Sequence, residues 1–176
     1  MIPTFPEFIP LSINLKVELD AIIDKFLPYS DFNFVSLWCW NLTGKTQLSK
    51  LNENLVICME DYTTGEMFYM FMGTNDILGT CKLLMQYEKE NSLPQEIYLV
   101  PEETIKPNLE LLKESFTVEE DRDNFDYVLS VEDLSEMKGP ALHQKRKLLN
   151  NFLRQYKPSV TVINHTDPNA KDIVLN

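Results

Sequence analysis

The chain has 176 residues, of which 44% are apolar, and a formal net charge of −11 at pH 7. That length suits one packed domain of about 100 to 150 residues with a segment left over, and the acidic balance excludes nucleic-acid binding by the whole surface. Nowhere do about 18 apolar residues follow one another, so the sequence predicts no membrane-spanning helix.

Cysteine usage and the first residues indicate a compartment. Cys39, Cys58 and Cys81 are odd in number and lie in apolar runs, which predicts reduced cysteines in the core rather than disulfides or a metal site. Residues 1–12 contain no Lys or Arg and several prolines, unlike a secretory signal peptide. We therefore expect a cytoplasmic protein.

The first third of the chain predicts one strand and two helices. Residues 8–13 are expected to form the strand, and the following helix should end before Pro28. Asp31 is predicted to cap a second helix. The apolar residues of the two helices are Val17, Leu19, Ile22, Ile23, Phe26, Leu27, Phe34, Leu37, Trp38 and Trp40. Trp38 and Trp40 are both predicted in the core, but they cannot share one helix face, so one of them should lie at an edge or cleft.

Three short apolar segments follow, at residues 47–51, 54–60 and 66–72. Asn and Gly turns separate them, and the last two segments are apolar enough for central strands. The pattern predicts an antiparallel meander.

The remaining elements alternate. Residues 76–91 are predicted to be a helix, because apolar residues and Glu88 recur at intervals of three and four. Residues 96–101 should form a strand, and residues 102–115 a helix that Pro107 begins or breaks. Residues 116–131 should add two short strands. This order predicts an α+β fold, an α/β-type sandwich in which helices flank a mixed sheet.

The element order resembles the Gcn5-related N-acetyltransferase fold. That resemblance implies a glycine turn whose backbone N–H groups cradle a pyrophosphate at a helix N-terminus. The corresponding turn contains Gly73 and Gly79, but Asp76 puts negative charge where phosphates would lie. We therefore expect no cofactor in this domain.

Residues 138–157 carry six Lys or Arg and no acid, so their charge is +6, whereas residues 1–137 carry 9 and 25, so −16. Leucines and aromatic residues recur at three, four and seven along this segment, which predicts an amphipathic helix. The helix either neutralises its own acidic domain or contacts phosphate in RNA, a phospholipid headgroup or a nucleotide. Candidate contacts are Lys138, His143, Lys145, Arg146, Lys147 and Arg154.

Local signals place the ends of two helices. Ser130 and Asp133 have capping-box spacing for a short helix, and Gly139 is expected to stop it. Pro140 is predicted to occupy the first turn of the basic helix.

Other chemical signals are weak, and we assign no catalytic residue and no metal site. Motifs of zinc proteases, serine hydrolases and P-loop enzymes are absent. Arg122 is expected to pair with an acid of its Asp-rich turn. Tyr98 and Tyr127 are conceivable general acids that more often pack in cores. His143 is expected to be structural or solvent-facing, and neither it nor His165 has an evident nucleophile partner.

Two ordered motifs carry a closer resemblance. The first motif is LPYSDFNF, at residues 27–34. The second is DRDNFDYVLSVEDL, at residues 121–134, and it is followed by Lys138-Gly139 and His143-x-Lys145-Arg146. Both motifs resemble signatures of the phosphatidylglycerol lysyltransferase C-terminal family. Members of that family are similar to Fem-type aminoacyl transferases and carry two acetyltransferase-like domains in tandem. The resemblance makes residues 1–137 the first domain, residues 138–157 a connecting helix, and residues 158–176 the truncated start of a second domain, with a strand at 159–163.

The resemblance implies a bacterial transferase of the lysyl-phosphatidylglycerol synthase type. Its donor would be an aminoacyl-tRNA or acyl-coenzyme A, and an anionic lipid is a further possible partner. We expect the chain not to be catalytic by itself. The alternative is a non-catalytic interaction or dimerisation module that binds a second domain or another copy, for example through an open strand edge.

Overall fold

A computed structural model describes residues 1–164 and 166–175 of the chain. It divides into two compact units, Met1–Asp126 and the described residues from Tyr127 onward. Helices and an antiparallel sheet make up the elements, which confirms the predicted α+β class. None of the described helices is long and apolar enough to cross a membrane.

The sheet of the first unit has four antiparallel strands in the order β1-β2-β3-β4. The strands are β1 (Ile9–Pro10), β2 (Gln47–Leu51), β3 (Asn54–Glu60) and β4 (Met67–Met72). Asn52 and Glu53 join β2 to β3 with positive φ angles of 51° and 63°, the conformation that two-residue hairpin turns require. The predicted meander is confirmed.

Side chains of β3 and β4 alternate between the two faces of the sheet, and both faces are buried. One face packs in a cluster with Leu55, Ile57 and Met70. The opposite face packs in a second cluster with Val56 and Phe71. Burial on both sides explains why these strands are continuous apolar runs.

Two helices cover the first face: α1 (Lys16–Ile23) and α2 (Phe34–Trp40). Helix α1 is shorter than predicted, because it ends four residues before Leu27, which is exposed. The prediction that Asp31 caps α2 is wrong. Asn33 has the extended backbone of an N-cap, and its side chain accepts the Ser36 N–H at 2.8 Å.

Helix α3 (Ile77–Glu90) forms as predicted, and it covers the second face. The 102–115 region is broken into α4 (Glu102–Ile105), a 3₁₀ turn (Lys106–Asn108) and α5 (Leu109–Lys113). Pro107 lies in the turn, so the predicted interruption is confirmed.

The predicted strands at residues 96–101 and 116–131 do not form. Within the first, only Ile97 makes an isolated parallel bridge, to Tyr69, and the left-handed backbone of Leu99 (φ 52°) ends the extended run. The second region is bent by a 3₁₀ turn at Arg122–Asn124. A mixed sheet would need a parallel strand at residues 96–101. In its place the structure has the isolated parallel bridge between Ile97 and Tyr69.

The second unit contains α6 (Val131–Glu136), α7 (His143–Tyr156) and α8 (Ala170–Leu175). The Ser130 hydroxyl accepts the Asp133 N–H at 3.2 Å, as its spacing predicts. Left-handed Met137, not Gly139, ends α6, and Pro140 lies before the first turn of α7 rather than in it. Residues 159–163 form no strand.

The cysteines are all free. Cys58 and Cys81 are buried as predicted, but Cys39 is exposed, because it lies on the outer side of α2. The predicted core position of Cys39 is wrong.

Candidate functional site

One side of α7 carries a basic stripe, defined here as His143, Lys147, Asn150 and Arg154. Their spacing of four, three and four residues aligns them on one face of a helix, over about 16 Å of its length. All four side chains are exposed. The stripe therefore presents the cationic side chains of a lysine and an arginine, one imidazole and one amide to solvent.

The other predicted cations have different surroundings. Arg146 is half-buried and its guanidinium donates to the Met137 carbonyl at the end of α6. Lys138 pairs with Glu136 at 2.6 Å, and Lys145 projects from the side of α7 opposite the basic stripe. Of the six predicted residues, the helix thus aligns His143, Lys147 and Arg154.

The opposite side of α7 is an apolar stripe of Leu149, Phe152, Leu153 and Tyr156. These side chains are 40–63% exposed, and the Phe152 and Tyr156 rings lie 5.1 Å apart. Helix α7 is thus amphipathic as predicted, with both stripes open to solvent.

The chemistry of the basic stripe is that of a phosphate contact. Residues 138–157 contain no carboxylate that would compete with a ligand for these cations. Lysine and arginine bind phosphate oxygens through charge-assisted hydrogen bonds, and exposed contacts of this kind weaken as salt rises.

A second candidate site lies in the first unit, where the loop of the LPYSDFNF motif meets the Asp-rich motif. The Ser30 N–H donates to Asp126 Oδ2 at 3.0 Å, across 96 residues of sequence. Burial, and then the nearby Asp126 carboxylate, raise the pKa of Asp31 above its usual range. The junction therefore holds two carboxylates, one of which takes up a proton more readily than an exposed aspartate.

We expect Asp126→Asn to lower the pKa of Asp31, because the substitution removes the neighbouring charge while the amide oxygen can still accept the Ser30 N–H. Only part of the shift should disappear, since burial is its larger cause. An NMR titration of the Asp31 carboxyl measures this. Asp123→Asn, at an exposed position in the same motif, is the control. If neither substitution changes the pKa of Asp31, the Asp126 carboxylate does not act on Asp31.

Of the remaining candidate residues, those that the structure describes do not form the contacts expected of them. Arg122 stacks over the Phe125 ring at 4.8 Å, and among the described residues it forms no ion pair with its neighbouring acids. Tyr127 is exposed, and the Tyr98 hydroxyl bonds to Glu96. His165 lies outside the described residues. Within the described chain, no group of three or more His, Cys, Asp or Glu is arranged to hold a metal ion.

The glycine turn before α3 is filled by the protein's own side chains. Asp76 caps the helix by accepting the Gly79 N–H at 3.1 Å. A Cβ at Gly73 would collide with the Asn54 side chain, which is buried beneath the turn. The Asp76 carboxylate and the Asn54 amide therefore pair with the backbone N–H groups of this turn.

Sequence reasoning missed a cavity of about 260 Å³ beside the end of β3. Trp40 and Tyr62 stack at 5.2 Å along its wall, and Glu60 is bonded there by Lys45 and Thr43. The predicted core position of the tryptophans is wrong, because Trp38 and Trp40 are each about half exposed; the expected cleft position is right for Trp40.

Comparison with known proteins gives one family and one solved structure. A family model described as phosphatidylglycerol lysyltransferase, C-terminal, matches residues 25–174. No curated protein matches the chain. A crystal structure of a conserved protein of unknown function from Bacteroides thetaiotaomicron VPI-5482 has a similar fold, with 20% identity and a TM-score of 0.65. The similarity covers 89% of this chain and 52% of that one, so the chain spans about half the length of that protein.

Proposed function

The chain belongs to the phosphatidylglycerol lysyltransferase C-terminal family, and from this premise we propose that it serves acyl or aminoacyl transfer by contacting phosphate groups with the basic stripe of α7. The carrying observation is the alignment of His143, Lys147 and Arg154 on an exposed helix face, in a segment without acids. The phosphates would belong to an aminoacyl-tRNA donor or to an anionic lipid.

The charge distribution supports this role. An acidic chain repels polyanions overall, so any phosphate ligand is confined to the positive segment. The Asp76 cap at α3 disfavours a second phosphate site there, since it places a carboxylate at that helix N-terminus. For that reason we favour aminoacyl-tRNA over acyl-coenzyme A as the donor.

The test is a charge reversal of the stripe. Lys147→Glu with Arg154→Glu should weaken binding to a tRNA acceptor-stem duplex at least tenfold and reduce the salt slope of log K by about one to two. The control, Lys106→Glu with Lys113→Glu, makes the same change in net charge at exposed lysines of the first unit. Equal losses in both double variants would show a general charge effect and overturn the proposal.

The choice of ligand in the binding assay distinguishes a contact with lipid from a contact with the RNA donor. Binding of the same variants to vesicles of phosphatidylglycerol, with phosphatidylcholine as the neutral reference, reports on the lipid. We further propose that this chain does not catalyse transfer by itself. Lysyl transfer from lysyl-tRNA to phosphatidylglycerol by the isolated chain would contradict that statement, and a longer family member is the positive control.

A second candidate function is a non-catalytic interaction module, and the exposed apolar stripe of α7 favours it. Apolar helix faces of this kind commonly bind a partner helix or groove. Light scattering distinguishes the two, because a dimer that Phe152→Ser dissociates, in a chain that ignores RNA and lipid, would support the module. A monomer that binds phosphate ligands would support the transferase role.

A further inference from the structure

Glu88 is a carboxyl group inside the core of the first unit. It continues the buried side of α3, where Ile77, Cys81 and Leu84 precede it at helical spacing. Its side chain is 1% exposed, and its Oε2 atom has no hydrogen-bond partner among the described residues. A charged carboxylate in such a place is costly, whereas a neutral acid is tolerated.

Titratable groups from three other parts of the first unit lie close enough to Glu88 to interact with it electrostatically. Cys58 of β3 and Tyr69 of β4 are register partners beneath α3. Burial is the main cause that raises the pKa of both, and the Glu88 charge adds to it. Tyr87 lies beside it on α3, and Glu96 contributes from the segment that bridges to Tyr69. The described ion pairs include none with Glu88, so no cation offsets its charge.

The same region holds the start of the chain. The Tyr87 ring contacts Phe5 at 5.0 Å and Phe8 at 6.2 Å, and Phe8 also lies 5.9 Å from the Tyr69 ring. These edge and tilted ring contacts join the segment before β1 to the last turns of α3. Whatever loosens α3 near Glu88 will therefore loosen the N-terminal segment as well.

We propose that Glu88 is a proton-operated latch: its neutral carboxyl lets the C-terminal half of α3 and residues 5–8 close on the sheet, and loss of its proton to water releases them. The ring contacts of Tyr87 hold the latch closed, and ionisation of the neighbouring Glu88 carboxyl opens it.

The direction of the response follows from linkage. Burial, and then the Glu96 charge, raise the pKa of Glu88 to about 8 in the closed state, against an ordinary value of 4.5. A raised pKa stabilises the closed state fully below the ordinary value, and this stabilisation is lost as pH rises through the closed-state value. Opening should increase by up to about tenfold per pH unit between pH 5 and 8, and level off above.

Hydrogen exchange tests the latch in the intact chain. After correction for the intrinsic rate, protection of the amides in residues 84–91 and 4–8 should fall through this pH range in the wild type. Glu88→Gln keeps the shape and neutrality of the protonated acid, so its protection should stay nearly flat. Glu90→Gln, exposed on the same helix, should behave as the wild type does. A wild-type slope that persists in Glu88→Gln would overturn the proposal.

A second measurement does not depend on a variant that folds. An NMR titration of the Glu88 side-chain carbon in the wild type should show ionisation well above the range of the exposed glutamates, at the pH where protection levels off. Ionisation in the ordinary range would also overturn the latch. Neither result bears on the phosphate contact of α7, which the RNA and vesicle assays test separately.

Discussion

Phe71→Ala should lower the free energy of unfolding by about 3–5 kcal/mol, in the range of large aromatic truncations in cores. Phe71 is 0% exposed and projects from β4 into the second cluster. Its cross-strand partner Val56 is also 0% exposed. Truncation removes buried ring surface and leaves a cavity between sheet and helix that these neighbours cannot fill.

Phe68→Ala is the matched control, because Phe68 lies on the same strand and is only half-buried at the edge of the other cluster. It should cost about 1–2 kcal/mol. Urea unfolding followed by circular dichroism measures both. If Phe71→Ala costs no more than Phe68→Ala, the central core position assigned to Phe71 is wrong.

Local sequence signals predicted the centre of the first unit well, because they coincide there with burial. Strands β3 and β4 are buried on both faces, so their side chains are apolar at nearly every position. Helix α3 combines a 3.6-residue period with a capping residue, Asp76. In each case the side-chain pattern and the tertiary environment require the same structure.

The missed strands depended on information that the local sequence lacks. Residues 96–101 are apolar enough for a strand, yet Leu99 has a left-handed backbone that nothing in its side chain signals. The two ends of the 116–131 region, on either side of the polar residues 119–124, largely alternate apolar and polar residues, but a strand also needs a partner edge in the right place. Pairing is a tertiary property, so propensity alone overestimated the sheet.

The candidate sites show the same division. Charge counting found the positive segment, and helical period selects His143, Lys147 and Arg154 within it. The Ser30–Asp126 hydrogen bond joins positions 96 residues apart, so spacing could not predict it. The two motifs it joins were the available signal, since both carry the family resemblance.

Asn54→Ala should destabilise the protein by about 2–4 kcal/mol, because it removes three hydrogen bonds from a fully buried position. The Asn54 amide nitrogen donates to the Asn75 carbonyl at 2.6 Å and to Thr80 Oγ1 at 2.9 Å. Its amide oxygen accepts the Asn75 N–H at 3.0 Å. One side chain therefore ties the start of β3 to the turn that precedes α3.

The loss is large because the Asn54 side chain and its partner Thr80 are both fully buried. The Thr80 hydroxyl would lose a partner in the interior, where an unpaired polar group is strongly unfavourable, and the amide and carbonyl of Asn75 would lose theirs at a partly buried position. Gly73 approaches the Asn54 side chain so closely that only a residue without a Cβ fits. Asn54→Ala thus leaves a polar void beneath the turn.

Asn52→Gly separates this effect from a general sensitivity of the β2–β3 turn. It removes the bonds of Asn52 to Asp76 and Thr80, at 3.3 and 3.2 Å, while glycine keeps the positive φ angle. We expect it to cost less than about 1 kcal/mol, since those bonds are long and partly exposed. Urea unfolding of both variants decides the matter: similar losses would mean that the hairpin turn, and not the buried amide of Asn54, joins the sheet to α3.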